Sequence, residues 1–373
     1  WPDWWTDGFG ASARESATTR VASSTLSANV AGLSMASAAG IKLPAKTDEK
    51  IDLAENALLF YCEHTTGYSE SVREPFSQPT MEQRALKESY AWEANRRTAL
   101  IGEEAMGLLQ SMFVSEKEPS LLIFNTLNWN RSGLATVYID HQVIPRGKMA
   151  GIFSQDGERM AVQPVASRSD GTYWAIWLKD IPAFGYKKFT VKAIDVPIAI
   201  ADPGLPAAIE NSWYRVSADP AKGAITSWYD KELNLELVDA TSPYKMGEFI
   251  LEQLGNRSQM ESRKLDDFKR SPLDKVWFDS MVKGEIWTSL KFIGESSTTE
   301  NPKGYSFEIR LFNTCKRMDI ACSMVKKSIT DPESFYIAFP FSLSDGKHFT
   351  EVPGGVIETG KDQIKGSSCD WYT

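Results

Sequence analysis

TMEQRALKESYAWEANRRTALIGEEAMGLLQSMFVSEKEPSLLIF, residues 80–124, holds the change of regime on which the fold turns. Leu86, Tyr90, Ala94, Arg97, Ile101, Ala105, Leu108 and Met112 recur at helical spacing and predict one long helix reaching about Phe113. Thr80 and Gln83 stand at the two positions of a capping box, in which each side chain satisfies a backbone N–H that the first helical turn leaves unpaired. From about Ser115 the helical period stops. Leu121 to Phe124 is a short apolar run bounded by Pro119 and Asn125, the pattern of a buried strand.

Working upstream, two more helices precede this one. Ser12 and Glu15 form another capping-box pair, and a stretch rich in Ala and Ser runs to about Ala39, with Val21, Leu26, Val30 and Leu33 on one face and Gly40 as its stop. Residues 44–48 form a connector. A second helix spans about Glu49 to His64, with Leu53, Ala57, Phe60 and His64 on one stripe and Gly67 ending the pattern. Pro75 and Pro79 mark the next joint. Three helices with short joints predict an antiparallel bundle.

Downstream the apolar runs stay short, β-branched and bounded by turn residues. Ala135 to Ile139 reads as a strand, and two strands flank the turn residues Pro182 to Gly185. SWYRVSAD, AITSWYD, KFIGES, YSFEIRLFN and RMDIACSMV continue the β pattern, and no fixed-period repeat is present. The expected fold class is therefore α+β and multidomain, a three-helix bundle followed by all-β domains of the β-sandwich type. The expected limits are the end of a preceding domain at 1–11, the bundle at 12–115, a small β domain at 116–196 and a large β-sandwich domain at 197–373.

Bulk composition agrees with folded structure: 42% of residues are hydrophobic and 24% charged over 373 residues, enough for two or three domains. The net charge of -8 disfavours non-specific binding to nucleic acid, and no dense Lys/Arg cluster overrides it. No apolar run approaches the ~20 residues of a membrane span. Cys62, Cys315, Cys322 and Cys369 match no metal knuckle or redox pair. Cys315 and Cys322 can face each other across a hairpin, but free buried thiols are the simpler expectation. The chain begins without Met and ends at CDWYT, which reads as an internal fragment of a longer protein, with compartment and oligomeric state left open.

Chemistry-bearing residues are few. Histidines occur only at His64, His141 and His348. A lone His at a helix end is usually structural, and one imidazole cannot hold zinc, which needs about four ligands. Trp1, Asp3, Trp4, Trp5 and Asp7 crowd three indoles and two carboxylates into seven residues. This cluster reads two ways, as a domain-joining loop with buried rings or as a sugar site in which an indole stacks on the ring and Asp accepts from hydroxyls. Asn130 and Asn256 begin N-x-S patterns and read as surface loops. A phosphate loop, a G-x-S-x-G elbow and an HExxH helix are all missing from the sequence, and no carboxylate pair stands out as an acid/base couple.

Several segments, in order along nearly the whole chain, resemble glycoside hydrolase family 38, the retaining α-mannosidases. WPDWWTDGFGASARE (1–15) is similar to the loop leading from that family's catalytic barrel into its helical bundle. FYCEHTTGYSES (60–71) resembles its histidine motif, usually His-His-Asp, with Glu63 before His64 and Thr65 where the Asp is common. LLIFNTLNWNRSG (121–133), with Thr126 in place of a Pro, IPAFGYKKFTV (181–191), the 210–239 stretch and ESFYIAFPFSL (333–343) resemble successive β segments.

The resemblance implies a zinc-dependent glycosidase acting on α-mannoside glycans. Two His and two Asp hold the metal, one of those Asp is the nucleophile, and a second carboxylate is the general acid/base. Carried over residue by residue, His64 matches the last zinc ligand and Trp5 the sugar-stacking Trp, with Trp4 the match if the register shifts by one. Asp7 has no firm counterpart in the family's motif and is assigned a sugar contact from its place in the tryptophan cluster. The nucleophile, the acid/base and the other ligands have no counterpart here, so no catalytic residue is assigned and the isolated chain is expected to be inactive. Thr65 removes one hydroxyl acceptor. Two other readings compete with this one: a non-catalytic carbohydrate-binding or scaffolding module, and a degenerate relative that has lost its zinc ligands.

Overall fold

The computed structural model describes residues 10–63, 70–198, 202, 204, 206–262, 265–300, 303–343, 346–352 and 354–363. Three long helices come first: α1 (Ala13–Ala38), α2 (Thr47–Cys62) and α3 (Gln78–Ser111). Nineteen strands and one short helix, α4 (Ser258–Ser262), follow among the described residues. The expected class, helices and then antiparallel sheets, is the one observed.

The helices pack through small side chains. Ala22, Ala36, Ala54, Ala57, Ala91, Ala94 and Ala105 are buried, with Leu26, Leu33, Ile101 and Leu109 filling between them. Gly32 lies against Ala105 and Leu109. At Gly102 a Cβ would run into the Asn29 amide, which donates to the Thr98 carbonyl at 2.8 Å and joins α1 to α3. Close backbone approach replaces large interdigitating side chains, and it decides which face turns inward.

That face matches the expected stripes in part. Leu26 and Leu33 of α1, Ala57 of α2 and Ala94, Ile101 and Ala105 of α3 are buried, as the spacing predicts. On α2 the other buried residues are Thr47, Ala54 and Tyr61, whereas Leu53 and Phe60 are exposed. On α3 they are Thr80, Lys87, Ala91, Thr98 and Leu109, and Leu86 and Met112 face out. Val21 of α1 is also exposed. The large apolar residues at the stripe edges give way to small neighbours that let the helices approach closely. Neither capping box forms. Ser12 makes no cap bond and its hydroxyl instead shares a hydrogen bond of 3.2 Å with the Tyr61 hydroxyl, while Glu15 pairs with Arg14 at 3.0 Å. Helix α3 begins at Gln78, with Pro79 in its first turn, and Thr80 bonds the Ser77 hydroxyl at 2.9 Å.

The chain divides into two compact units. The first comprises the described residues up to 131 with 180–188 and 347–363, and the second 132–179 with 189–343 and 346. In the first, β1 (Ser120–Asn125) neighbours the beginning of β6 (Gly185–Ile194), and Phe113, Phe124 and Tyr186 meet edge-on or tilted at centroid distances of 4.7–6.1 Å. The buried Asn125 amide donates to the carbonyls of Trp129, Ile181 and Pro182, holding the Pro182–Gly185 turn. The hairpin β18–β19 (Phe349–Val352, Gly355–Glu358) completes this unit.

The second unit holds β2 (Arg131–Asp140) from its second residue, β3 (Met149–Phe153), β4 (Ala161–Ser167), β5 (Gly171–Ile181) up to Lys179 and the end of β6. There follow β7 (Ile209–Glu210), β8 (Tyr214–Asp219), β9 (Ala224–Asp230), β10 (Leu235–Glu236), β11 (Phe249–Leu254), β12 (Phe268–Ser271), β13 (Lys275–Lys283), β14 (Trp287–Glu295), β15 (Tyr305–Phe312), β16 (Met318–Met324) and β17 (Glu333–Ile337). Strands β2, β5 and β4 form one sheet in that order, with β4 and β5 antiparallel. Its larger part contains the sheets β10-β9-β8-β7, β12-β11-β17 and β13-β14-β15-β16. Strand β15 (Tyr305–Phe312) shows how the alternation works: Tyr305, Phe307, Ile309 and Leu311 enter the core while Ser306, Glu308 and Arg310 take the other face. Gly247 turns at φ +84° with its Cα against the Phe307 ring, where no side chain fits.

Gln163 on β4 stitches the unit together. It is 2% exposed, and its Oε1 accepts from the N–H groups of Ile286 and Trp287 at 3.2 and 3.1 Å. Glu285 answers by accepting from Val162 N–H and from Arg159. The thiols of Cys62, Cys315 and Cys322 are free, as expected, but none is fully buried; Cys315 is half-buried and the other two are exposed. Cys322 sits opposite Phe307, not Cys315. Asn130 and Asn256 are exposed, as surface loops require. No helix among the described residues is long and apolar enough to cross a membrane.

Truncating Gln163→Ala strands two buried N–H donors and is expected to cost about 3 kcal/mol in chemical denaturation. Lys291→Ala, which removes an ion pair with Asp279 at 3.9 Å on the surface, is expected to cost less than about 0.5 kcal/mol. Equal effects would show that Gln163 carries no structural bond of consequence.

Candidate functional site at one end of the helical bundle

Residues Trp4, Trp5, Asp7 and His64 all lie outside the described residues. Their immediate neighbours are described, and these converge. Helix α1 begins just after the tryptophan-rich segment, and helix α2 ends two residues before His64. Tyr61, 1% exposed, joins the two: its hydroxyl lies 2.7 Å from Ser16 Oγ and 3.2 Å from Ser12 Oγ and also reaches the Ser12 carbonyl at 3.4 Å. Arg84, in the first turns of α3, donates to the Ala11 carbonyl at 3.2 Å.

Lys87 fixes the other exit. Its side chain is buried, and its ammonium donates to the Phe60 carbonyl at 2.8 Å and to the Glu63 carbonyl. The Glu63 carboxylate, itself exposed, stands 3.9 Å away. The last carbonyls of a helix have no partner within it and carry the negative end of its dipole, so a cation is well placed there. The backbone immediately before His64 is thereby tied to α3, and the backbone immediately after the tryptophan cluster is tied to α2 and α3.

Aromatic rings surround these ties. Phe60 stacks on Tyr90 with centroids 5.3 Å apart, and the Arg14 guanidinium lies 4.8 Å over the Trp92 ring. Phe60 and Trp92 remain partly exposed. Glu15, buried beside them, is committed to Arg14 through bonds of 3.1 and 3.0 Å. The other buried carboxylates among the described residues are also paired: Asp230 with Lys316 at 2.9 Å and Glu248 with Lys222 at 2.8 Å. Burial opposes the charge of Asp230, but the Leu233 N–H, the Lys316 ammonium and the Glu232 N–H outweigh it and hold its carboxyl below the usual range.

Among the described residues no three His, Cys, Asp or Glu side chains come together as a metal set. His141 instead places Nδ1 3.2 Å from the Ile144 carbonyl. What the described part of the bundle end offers is positioning. The sequence pattern does not point to Tyr61, Lys87, Arg84 or Ser16, and it points to Ser12 only as a helix cap. A lysine on a helix reads as solvated, and only the small-residue stripe Ala91, Ala94, Ile101, Ala105, continued one turn back, leads to it.

Among solved structures, the chain is similar in fold to a protein in glycosyl hydrolase family 38 from Enterococcus faecalis, with a TM-score of 0.57 and 13% identity, over 89% of this chain and 44% of that one. It is also similar to an α-mannosidase from Enterococcus faecalis V583, with a TM-score of 0.58 and 12% identity, over 88% of this chain and 42% of that one. The chain thus spans less than half the length of either structure. No family model and no curated protein sequence matches it.

Replacing Lys87 with Met removes the charge and leaves two helix-end carbonyls without their donor. We expect a loss of about 2 kcal/mol in bundle stability and faster amide exchange at residues 60–63, with exchange in the second unit unchanged. Unchanged exchange at 60–63 would show that the Lys87 tie does not hold that segment.

Proposed function

We propose that this chain is the helical bundle and β portion of an α-mannosidase-like glycosidase of glycoside hydrolase family 38, and that residues 1–9 and 64–69 supply the rim of its mannose site. The observation that carries this reading is the convergence at the bundle end. Tyr61 with Ser12 and Ser16, and Lys87 with Phe60 and Glu63, bring the backbone beside both motifs to one place. Fold likeness to two family structures supports it at the level of architecture.

In this reading Trp5 is the stacking platform, or Trp4 if the register shifts by one, and Asp7 accepts from a sugar hydroxyl. His64 donates one imidazole to zinc, which in such an enzyme polarises sugar hydroxyls. One imidazole is too few for the about four donors zinc takes, so the donor set of this chain does not fit the metal by itself, and no step through it is derived. The nucleophile and the acid/base carboxylates belong to further sequence of the complete enzyme. The substrates proposed for that enzyme are α-mannoside glycans.

The test is titration of the chain with methyl α-mannoside, followed by Trp fluorescence, together with an aryl α-mannoside assay in added zinc. We expect weak, saturable, millimolar binding that Trp5→Ala abolishes, and no chelator-sensitive turnover. No saturable change at high millimolar sugar would overturn the sugar-rim assignment. Sustained, chelator-sensitive turnover would overturn the claim that catalysis needs residues beyond this chain.

A further inference from the structure

Among the described residues, the three sheets in the larger part of the second unit end in the strand edges β10 and β7, β12 and β17, and β13 and β16. An open edge is a row of unpaired N–H and C=O groups that recruits another strand, and folded chains guard it with charges, bulges or short length. Every edge but one is guarded. Strands β7 and β10 are two residues long. Strand β12 carries Lys269 and Arg270, and β13 carries Lys275 and Lys283 with a register shift between Phe278 and Ser280. Strand β16 carries Asp319, held by Arg317 at 2.6 Å.

Strand β17 has none of these devices. It pairs with β11 in an unbroken register over its whole length. Its one charged side chain, Glu333, is 6% exposed, accepts from Thr298 Oγ1 at 2.6 Å and pairs with Lys326. Phe335 and Tyr336, on opposite faces of the strand, are 44% and 49% exposed. The Phe335 ring is stacked on Phe249 at 6.5 Å, which fixes its orientation. The stretch 332–343, PESFYIAFPFSL, holds a single charge in a chain that is 24% charged. Exposed aromatic rings with charge depleted around them are the composition of an interface centre.

The ladder fixes which groups face the open edge. Leu254 N–H donates to the Pro332 carbonyl and Ala338 N–H to the Glu248 carbonyl, each at 3.0 Å. Residues of an antiparallel pair alternate in direction, so Ser334 and Tyr336 also bond β11, while the N–H and C=O groups of Glu333, Phe335 and Ile337 point outward. Among the described residues no backbone bond reaches these groups. A second copy of β17 matches them. Laid antiparallel about a two-fold axis at Phe335, it sets Phe335 against Phe335, Ser334 against Tyr336 and Glu333 against Ile337. Each outward N–H and C=O then has a partner, the two Phe335 rings meet, and the two Glu333 carboxylates stand at opposite ends. Two chains of net charge -8 repel over most of their surfaces, and this stretch is where that repulsion is least.

We propose that β17 is a self-association edge through which two copies of this chain form an isologous dimer with one continuous β-sheet. The pairing needs only residues of the second unit and is independent of the mannose-site reading. Sedimentation velocity over a concentration series measures the association, and residue-resolved amide exchange on the same samples locates it. Phe335→Pro removes an outward N–H and none of the bonds to β11, and Tyr336→Lys places a guarding charge on an exposed position. Near-ultraviolet circular dichroism checks that both variants fold.

We expect a reversible dimer in the micromolar range and a loss of affinity of about tenfold or more in each variant. Exchange at the Phe335 and Ile337 amides should slow as concentration rises, with the Ser334 and Tyr336 amides unchanged. A chain that stays monomeric up to about 200 μM, or a dimer undiminished in folded Tyr336→Lys, would overturn the proposal. So would Phe335 and Ile337 amides already protected at the lowest concentration, because the edge would then be covered from within one chain.

Discussion

A buried ammonium needs acceptors, and at Lys87 the acceptors are the Phe60 and Glu63 carbonyls at the end of a neighbouring helix. That constraint orders the first unit. To satisfy it, α3 must present Lys87 inward, on the same face as Ala91, Ala94, Ile101 and Ala105. Such small side chains let the helices approach closely enough for Tyr61 to reach Ser12 and Ser16 and for Asn29 to reach Thr98. A bundle packed on leucine alone would hold the backbones further apart and leave these bonds unmade. The polar ties at one end and the alanine seam along the helices are two expressions of one geometry.

The second unit rests on a different device. Its cores are ordinary alternating strands, but its two portions are joined by a side chain, Gln163, that acts as a piece of backbone and receives two N–H groups from the β13–β14 connection and the start of β14 (Trp287–Glu295). Ala175, Ile286, Trp287 and Phe312 close the apolar seam beside it, packed by Trp177. A polar group buried this completely is stabilising only when satisfied, which makes the join specific as well as strong.

Legibility of the fold from sequence followed the kind of signal each element carries. Strands such as β15, and the β5–β6 pair around Pro182–Gly185, have period-two alternation and turn residues, so they were visible. Helix existence was visible too, and the Gly40 stop has the positive φ expected of it. Helix faces were visible in part: Leu26, Leu33, Ala57, Ala94, Ile101 and Ala105 lie on the expected stripes and are buried, but Leu53, Phe60, Leu86 and Met112 face out because small neighbours bury more closely. Capping patterns failed for a related reason: the Ser12 hydroxyl had a tertiary partner in Tyr61, forty-nine residues away, which local reading cannot see. Of the candidate site, Trp4, Trp5 and His64 were matched by resemblance and Asp7 by its place in the same cluster, whereas the groups that tie down the adjacent backbone came only from packing.

The proposed sugar binding at the bundle end makes a demand that ordinary affinity data do not test, namely that two segments far apart in the chain respond together. Hydrogen–deuterium exchange with and without saturating methyl α-mannoside measures this directly. The account predicts coincident protection of peptides covering residues 1–12 and 60–71, with the β17 region (Glu333–Ile337) unaffected. Protection confined to one of the two segments, or to the β sheets alone, would contradict it.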